Sequence, residues 1–115
     1  MSSLDKRRAP RFESLHLSYV LVDEKGMPVR QGMGRTLNLS RTGICLETNF
    51  AIEPQQRLVL AIAIDDEIVE VGGRVAYCLV DEGNRFRTGV DFVGVDEAAG
   101  RVLDSFIARF QARQG

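Results

Sequence analysis

Between Leu15 and Val93 the chain repeats one pattern, apolar side chains at every second position in short runs broken by Gly, Asn, Asp and Pro. A two-residue period belongs to a strand with one buried face, and a helix does not present it. In LHLSYVLV, Leu15, Leu17, Tyr19 and Leu21 share a face and leave His16 and Ser18 on the other. GICLETN sets Ile44 and Leu46 against Cys45 and Glu47, and RLVLAIAI sets Leu58, Leu60, Ile62 and Ile64 against the smaller Val59, Ala61 and Ala63. EIVEVGGRVAYCLV aligns Val69, Val71, Val75, Tyr77 and Leu79, and FRTGVDFV supplies a last strand. The links EKGMP, IDDE and DEGNR are turn-forming, and VRQGMGRTLNLS reads as a Gly-rich polar segment leading to a further turn. Gly72 and Gly73, adjacent within a strand pattern, predict a bulge or sharp bend of the kind that curls a small sheet. Short links throughout predict an all-β dominated fold, a small antiparallel β-barrel of about six strands.

The period changes near the C-terminus. Ala99, Leu103, Phe106, Ile107 and Phe110 recur at helical spacing behind Asp96, a good N-cap, so an amphipathic α-helix is expected to pack on the barrel. Gly100 within it costs about 1 kcal/mol relative to Ala. A length of 115 residues supports one core. The expected organisation is a single domain over 1–115, with a flexible basic arm at 1–12, the barrel at 13–94 and the helix at 95–113.

Charge is unevenly placed. Residues 1–11 carry four cations against one acid, a net +3, while the remaining eleven cations and fifteen acids leave −4. An acidic body argues against a polymer-binding basic face, so no nucleic acid polymer is expected as partner. The longest apolar run, LVLAIAI, is far too short to cross a bilayer, and no apolar stretch follows the N-terminal cations. The expectation is a cytoplasmic protein without membrane insertion, in which Cys45 and Cys78 stay reduced. Their separation, without Cys-x-x-Cys spacing or a His cluster, offers no metal site.

Catalysis finds little purchase. His16 is the one histidine and alternates onto a polar face, and the acidic pairs Asp65 with Asp66 and Asp81 with Glu82 fall in turns where solvated carboxylates are common. Gly32 and Gly34 begin a G-x-G, but Leu37 stands where a phosphate-binding fingerprint needs glycine. No catalytic residue, metal or cofactor is assigned, and the chain is not expected to be an enzyme.

Two motifs remain. Arg7 and Arg11 form Arg-x-x-x-Arg within KRRAPRF, and Asn38, Ser40 and Gly43 form Asn-x-Ser-x-x-Gly within NLSRTG. The first spacing alone says little, since Arg109 and Arg113 repeat it. The order of basic arm, strand, Asn-x-Ser-x-x-Gly turn, further strands and closing helix resembles the PilZ domain family, bacterial receptors for cyclic di-GMP. KRRAPRF resembles the family's entry segment, NLSRTGICLE its second motif, and GGRVAYC and GVDFVGVD its late strands. The resemblance implies that Arg7 and Arg11 grip the ligand's phosphates and guanine Hoogsteen edges, and that Asn38, Ser40 and Gly43 complete the pocket. Arginine suits this role because its planar fork meets phosphate bidentately, pairs with guanine O6 and N7, and stacks on purines. Asn38 and Ser40 would add directional hydrogen bonds, and Gly43 would permit a close backbone approach. Lys6 and Arg8 would assist electrostatically. Tyr77 is read first as a core residue and second as an aromatic edge for the ligand. The implied mechanism is an arm that orders over the barrel on binding cyclic di-GMP and so changes a surface read by an unidentified downstream protein, the chain being a monomer or weak dimer. The alternative is a ligand-free interaction adaptor on the same barrel, and an RNA-binding barrel is disfavoured by the acidic body.

Overall fold

A computed structural model describes residues 16–64 and 67–114. The expectations for Lys6, Arg7, Arg8, Arg11, Leu15, Asp65 and Asp66 lie outside the described residues. Six strands, β1 (His16–Val22), β2 (Pro28–Leu39), β3 (Gly43–Thr48), β4 (Arg57–Ile64), β5 (Glu67–Val80) and β6 (Phe86–Val93), precede one helix, α1 (Glu97–Gln114). All strand pairs are antiparallel, and the order β1-β2-β3-β6-β5-β4 closes on itself because β1 pairs with both β2 and β4. The expected six-stranded barrel with a C-terminal helix is therefore present.

The inward face is the alternating set. Leu17, Tyr19 and Leu21 of β1, Ile44 and Leu46 of β3, Leu58, Leu60 and Ile62 of β4, and Val71 and Val75 of β5 are buried in one cluster. Asp96 caps α1 by accepting the Ala99 N–H at 2.8 Å, and the helix begins at Glu97, slightly later than expected. Its stripe of Ala99, Leu103, Phe106 and Phe110 joins the barrel core, with α1 lying against β4 and β5. At about 25 cal/mol per Å², each large side chain so buried contributes on the order of 2 kcal/mol before the entropy of ordering is counted.

Three readings need correction. VRQGMGRTLNLS is not mainly a polar link but supplies most of the twelve-residue strand β2. Its inward positions carry Gly34 and Thr36, so no aliphatic alternation marks it. The neighbours fill the space: a Cβ on Gly34 would lie 3.3 Å from Leu46 Cβ, and one on Gly32 would lie 2.8 Å from the Tyr19 hydroxyl. Second, Gly72 and Gly73 pair in continuous register with both β4 and β6, and the β5 bulge comes later, between Val75 and Tyr77. Gly73 serves close packing instead, since a Cβ there would meet Val90 Cγ1 at 2.5 Å. Third, the extra residue at Ala76 inverts the alternation. Cys78 now faces inward, bonding Thr88 Oγ1 at 3.4 Å, while Tyr77 and Leu79 face outward, so the core reading of Tyr77 is overturned.

Candidate functional site

A second bulge lies on β2, between Thr36 and Asn38. Thr36 is buried and so is Leu39, which leaves Asn38 on the outer surface where unbroken alternation from Gly34 and Thr36 would have turned it inward. Two one-residue insertions, at Leu37 and Ala76, thus re-aim Asn38 and Tyr77 to the same side of the barrel. Between them opens a pocket of about 200 Å³ whose walls include Asn38, Ser40, Gly43, Cys45, Tyr77 and Asp91.

The turn after β2 holds itself. Ser40 N–H donates to the Gly43 carbonyl at 2.9 Å, while Ser40 Oγ accepts from the Thr42 and Gly43 N–H groups at 3.3 and 3.2 Å. The serine is thereby a turn former as well as a pocket wall. Asn38 Oδ1 accepts the Leu39 N–H at 2.8 Å, so its amide NH₂ is the group left to offer outward as a donor. Gly43 does face a close backbone approach, and the approaching chain is the barrel's own β6: a Cβ would stand 2.5 Å from the Val90 carbonyl oxygen. Arg41, in the middle of the motif, reaches away to α1, bonding Asp104 Oδ1 at 3.1 Å and the Gly100 carbonyl at 3.4 Å.

The opposite wall is aromatic. Tyr77 is 42 % exposed and stands directly across from Gly89 on β6, with its ring over the glycine, where a Cβ would collide with Tyr77 Cε2. Cys45 on β3 pairs with the same Gly89 from the far side, and the Tyr77 hydroxyl donates to Cys45 Sγ at 3.7 Å. That bond to the sulfur, chiefly, holds the phenol proton above the usual tyrosine range, so the ring stays neutral at physiological pH. Cys45 and Cys78 are both free thiols.

The structure therefore brings Asn38, Ser40, Gly43 and Tyr77 into one pocket, whereas Lys6, Arg7, Arg8 and Arg11 lie outside the described residues. Sequence reasoning missed Cys45, Gly89 and Asp91. Gly89 carried a signal, being a glycine within a strand pattern, while Asp91 could be found only through the register that sets it opposite Gly43. Among the described residues no group of three or more His, Cys, Asp or Glu side chains could hold a metal ion. No helix among the described residues is long and apolar enough to cross a membrane.

Comparison with known proteins identifies the fold and the family. The solved PilZ domain with c-di-GMP of YcgR from Escherichia coli superimposes with a TM-score of 0.61 at 14 % identity, covering 95 % of this chain and 96 % of that one. Likeness at that identity speaks for the fold. No curated relative matches by sequence. The PilZ domain profile matches residues 5–109, a span holding both motifs, all six strands and most of α1. With nearly its whole length accounted for in that way, the chain belongs to the PilZ domain family.

Proposed function

We propose that this chain is a receptor for cyclic di-GMP, held between the Asn38–Gly43 turn and an N-terminal clamp of Arg7 and Arg11. The observation that carries the reading is the convergence of Asn38, Ser40 and Gly43 with Tyr77 on one surface pocket, through bulges on two different strands. The ligand offers two phosphodiesters and two guanines. Each part of the pocket has a matching chemistry. The Asn38 amide NH₂ donates to a phosphate oxygen or to guanine O6 or N7, and Tyr77 supplies an uncharged ring edge. Asp91, on the rim, suits the N1–H and N2–H₂ donors of a guanine and repels phosphate, so it orients the base toward itself and the phosphates toward the arginines. Arg7 and Arg11 supply the bidentate charge that the pocket walls lack. Lys6 and Arg8 strengthen the local field. Closure of the arm over the barrel alters the outer surface, and a downstream protein reads the change.

Titration calorimetry with cyclic di-GMP tests the assignment. Loss of one charge-assisted arginine contact should cost about 1.5 to 3 kcal/mol, or roughly ten- to a hundredfold in affinity. Arg7→Ala, Arg11→Ala and Asn38→Ala should weaken binding with the barrel still folded, and Arg109→Ala on α1 should leave affinity unchanged. A wild-type chain that fails to bind at saturating ligand would sink the receptor reading in favour of a ligand-free adaptor.

A further inference from the structure

One register row runs around the outer wall from the pocket into a second feature. Gly43 on β3 pairs with Asp91 on β6, Asp91 with Arg74 on β5, and Arg74 with Arg57 on β4. Neighbouring strands lie about 4.8 Å apart, so the row spans roughly 14 Å from the motif glycine to Arg57. Its first two members line the pocket already described. The last two form a separate groove of about 140 Å³, completed by Val22, Val59, Gly72 and Val93.

The groove has an unusual charge arrangement. Arg57 and Arg74 stand directly opposite one another and both are exposed. Among the described residues neither guanidinium has an ion pair or hydrogen bond, and Asp91, on the other side of Arg74, is not within ion-pair distance of it. Like charges directly opposite on adjacent strands are destabilising. By contrast, Arg35, Arg41, Arg85 and Arg87 on this barrel each have a carboxylate within 3.4 Å. Next to the arginines the floor is bare, because the outward position preceding Arg74 on β5 is Gly72. Its wall is apolar, with Val93 49 % exposed. At about 30 Å³ per water, the space fits a group of about five heavy atoms, the size of one oxyanion.

We propose that Arg57 and Arg74 form an oxyanion-binding site, distinct from the Asn38–Gly43 pocket, that takes a phosphate or carboxylate group between the two guanidinium forks. Two facing forks can share one anion, each offering parallel N–H donors to its oxygens, and the anion cancels the repulsion built into the register. Val59 and Val93 contact the apolar body that carries the anion. The source is a small soluble oxyanion or an acidic side chain on a partner protein. The chemistry is the same for both, and the site does not depend on the receptor reading above.

Titrating the full ¹⁵N-labelled chain at constant ionic strength separates the two sources, one arm using inorganic pyrophosphate and the other a capped Glu-Val-Glu peptide. The expected result is saturable shifts at the Gly72 and Gly73 amides and at the Arg57 and Arg74 Nε–H signals in at least one arm. That arm identifies the source. Affinity should fall about tenfold in Arg57→Gln or Arg74→Gln and vanish in the double variant, while Arg7→Ala and Arg11→Ala leave it intact. The double variant should melt no lower than wild type, because it removes a repulsion, so lost binding cannot be blamed on unfolding. Shifts no larger than those from chloride in both arms, or undiminished affinity in the double variant, would overturn the site.

Discussion

Gly100 reads in the sequence as a flaw in a helix, and the structure supplies a neighbour for it. The Arg41 guanidinium lies against the helix there, and a Cβ at position 100 would come within 3.3 Å of Arg41 Nη1. Magnitudes decide what replacement does. Alanine gains about 1 kcal/mol of helix propensity. The Arg41–Asp104 pair is exposed at both ends, of a class worth about 0 to 1 kcal/mol, and the arginine tip can shift a few tenths of an ångström without losing it. Gly100→Ala should therefore stabilise the fold slightly, by up to about 1 kcal/mol, seen as a higher urea midpoint. A lower midpoint would mean that the seat for Arg41 matters more than helix propensity. At this level the motif residues were legible because their types are unusual together. Cys45 and Asp91 were not, since a half-buried thiol and a strand carboxylate look ordinary until the register sets them beside Gly89 and Gly43.

Strands as units were readable where both neighbours left room for aliphatic side chains. β2 was missed because two of its positions are glycines, Gly32 and Gly34, lying close against Tyr19 and Leu46 of the strands on either side. The bulges were misplaced for a related reason. Adjacent glycines advertise a bend, yet at Leu37 and Ala76 the extra residue has an ordinary side chain and only the pairing reveals it. Cross-strand chemistry also gives β2 and β3 a pH response. Arg35 donates to both Glu47 carboxylate oxygens, at 3.1 and 3.0 Å, and Arg85 adds a third contact at 3.4 Å. The hydrogen bond from Arg35, more than anything else, holds the Glu47 carboxyl below its usual range. A depressed folded pKa stabilises the protein above the unfolded value, and that contribution disappears as pH falls through the folded one. Glu47→Gln should cost about 1 to 2 kcal/mol at neutral pH, discounted for the exposure of Arg35. The gap between variant and wild type should close as pH falls below the ordinary carboxylate range near pH 4, followed by urea unfolding at successively lower pH. An unchanged gap would assign the loss to packing rather than charge.

Closure of the sheet and docking of the helix make one core of the described chain. Leu103 is fully buried where α1 meets the cluster headed by Leu60 and Ile62. Leu103→Ala should cost about 2 to 5 kcal/mol and lower the melting temperature by roughly 10 °C or more. Helix and barrel signals should be lost in a single transition by circular dichroism and tyrosine fluorescence. Separate melting of the helix would show it to be an accessory to the barrel. The same closure gives the surface its function-bearing geometry, because a closed barrel leaves no free edge and exposes instead rows of outward residues drawn from strands far apart in sequence.

Local chemistry settles where side chains alternate, where turns form and which residue types can meet an anion, because propensity and hydrophobic period act over a few neighbouring positions. The identity of the strands other than β2, barrel closure in outline and the Asn-x-Ser-x-x-Gly turn were therefore open to reading before any fold was known. Which face Asn38 and Tyr77 present, and which charges stand opposite Arg74, depends on inter-strand register. Register is a property of pairs of strands, and a single inserted residue reverses every side chain beyond it.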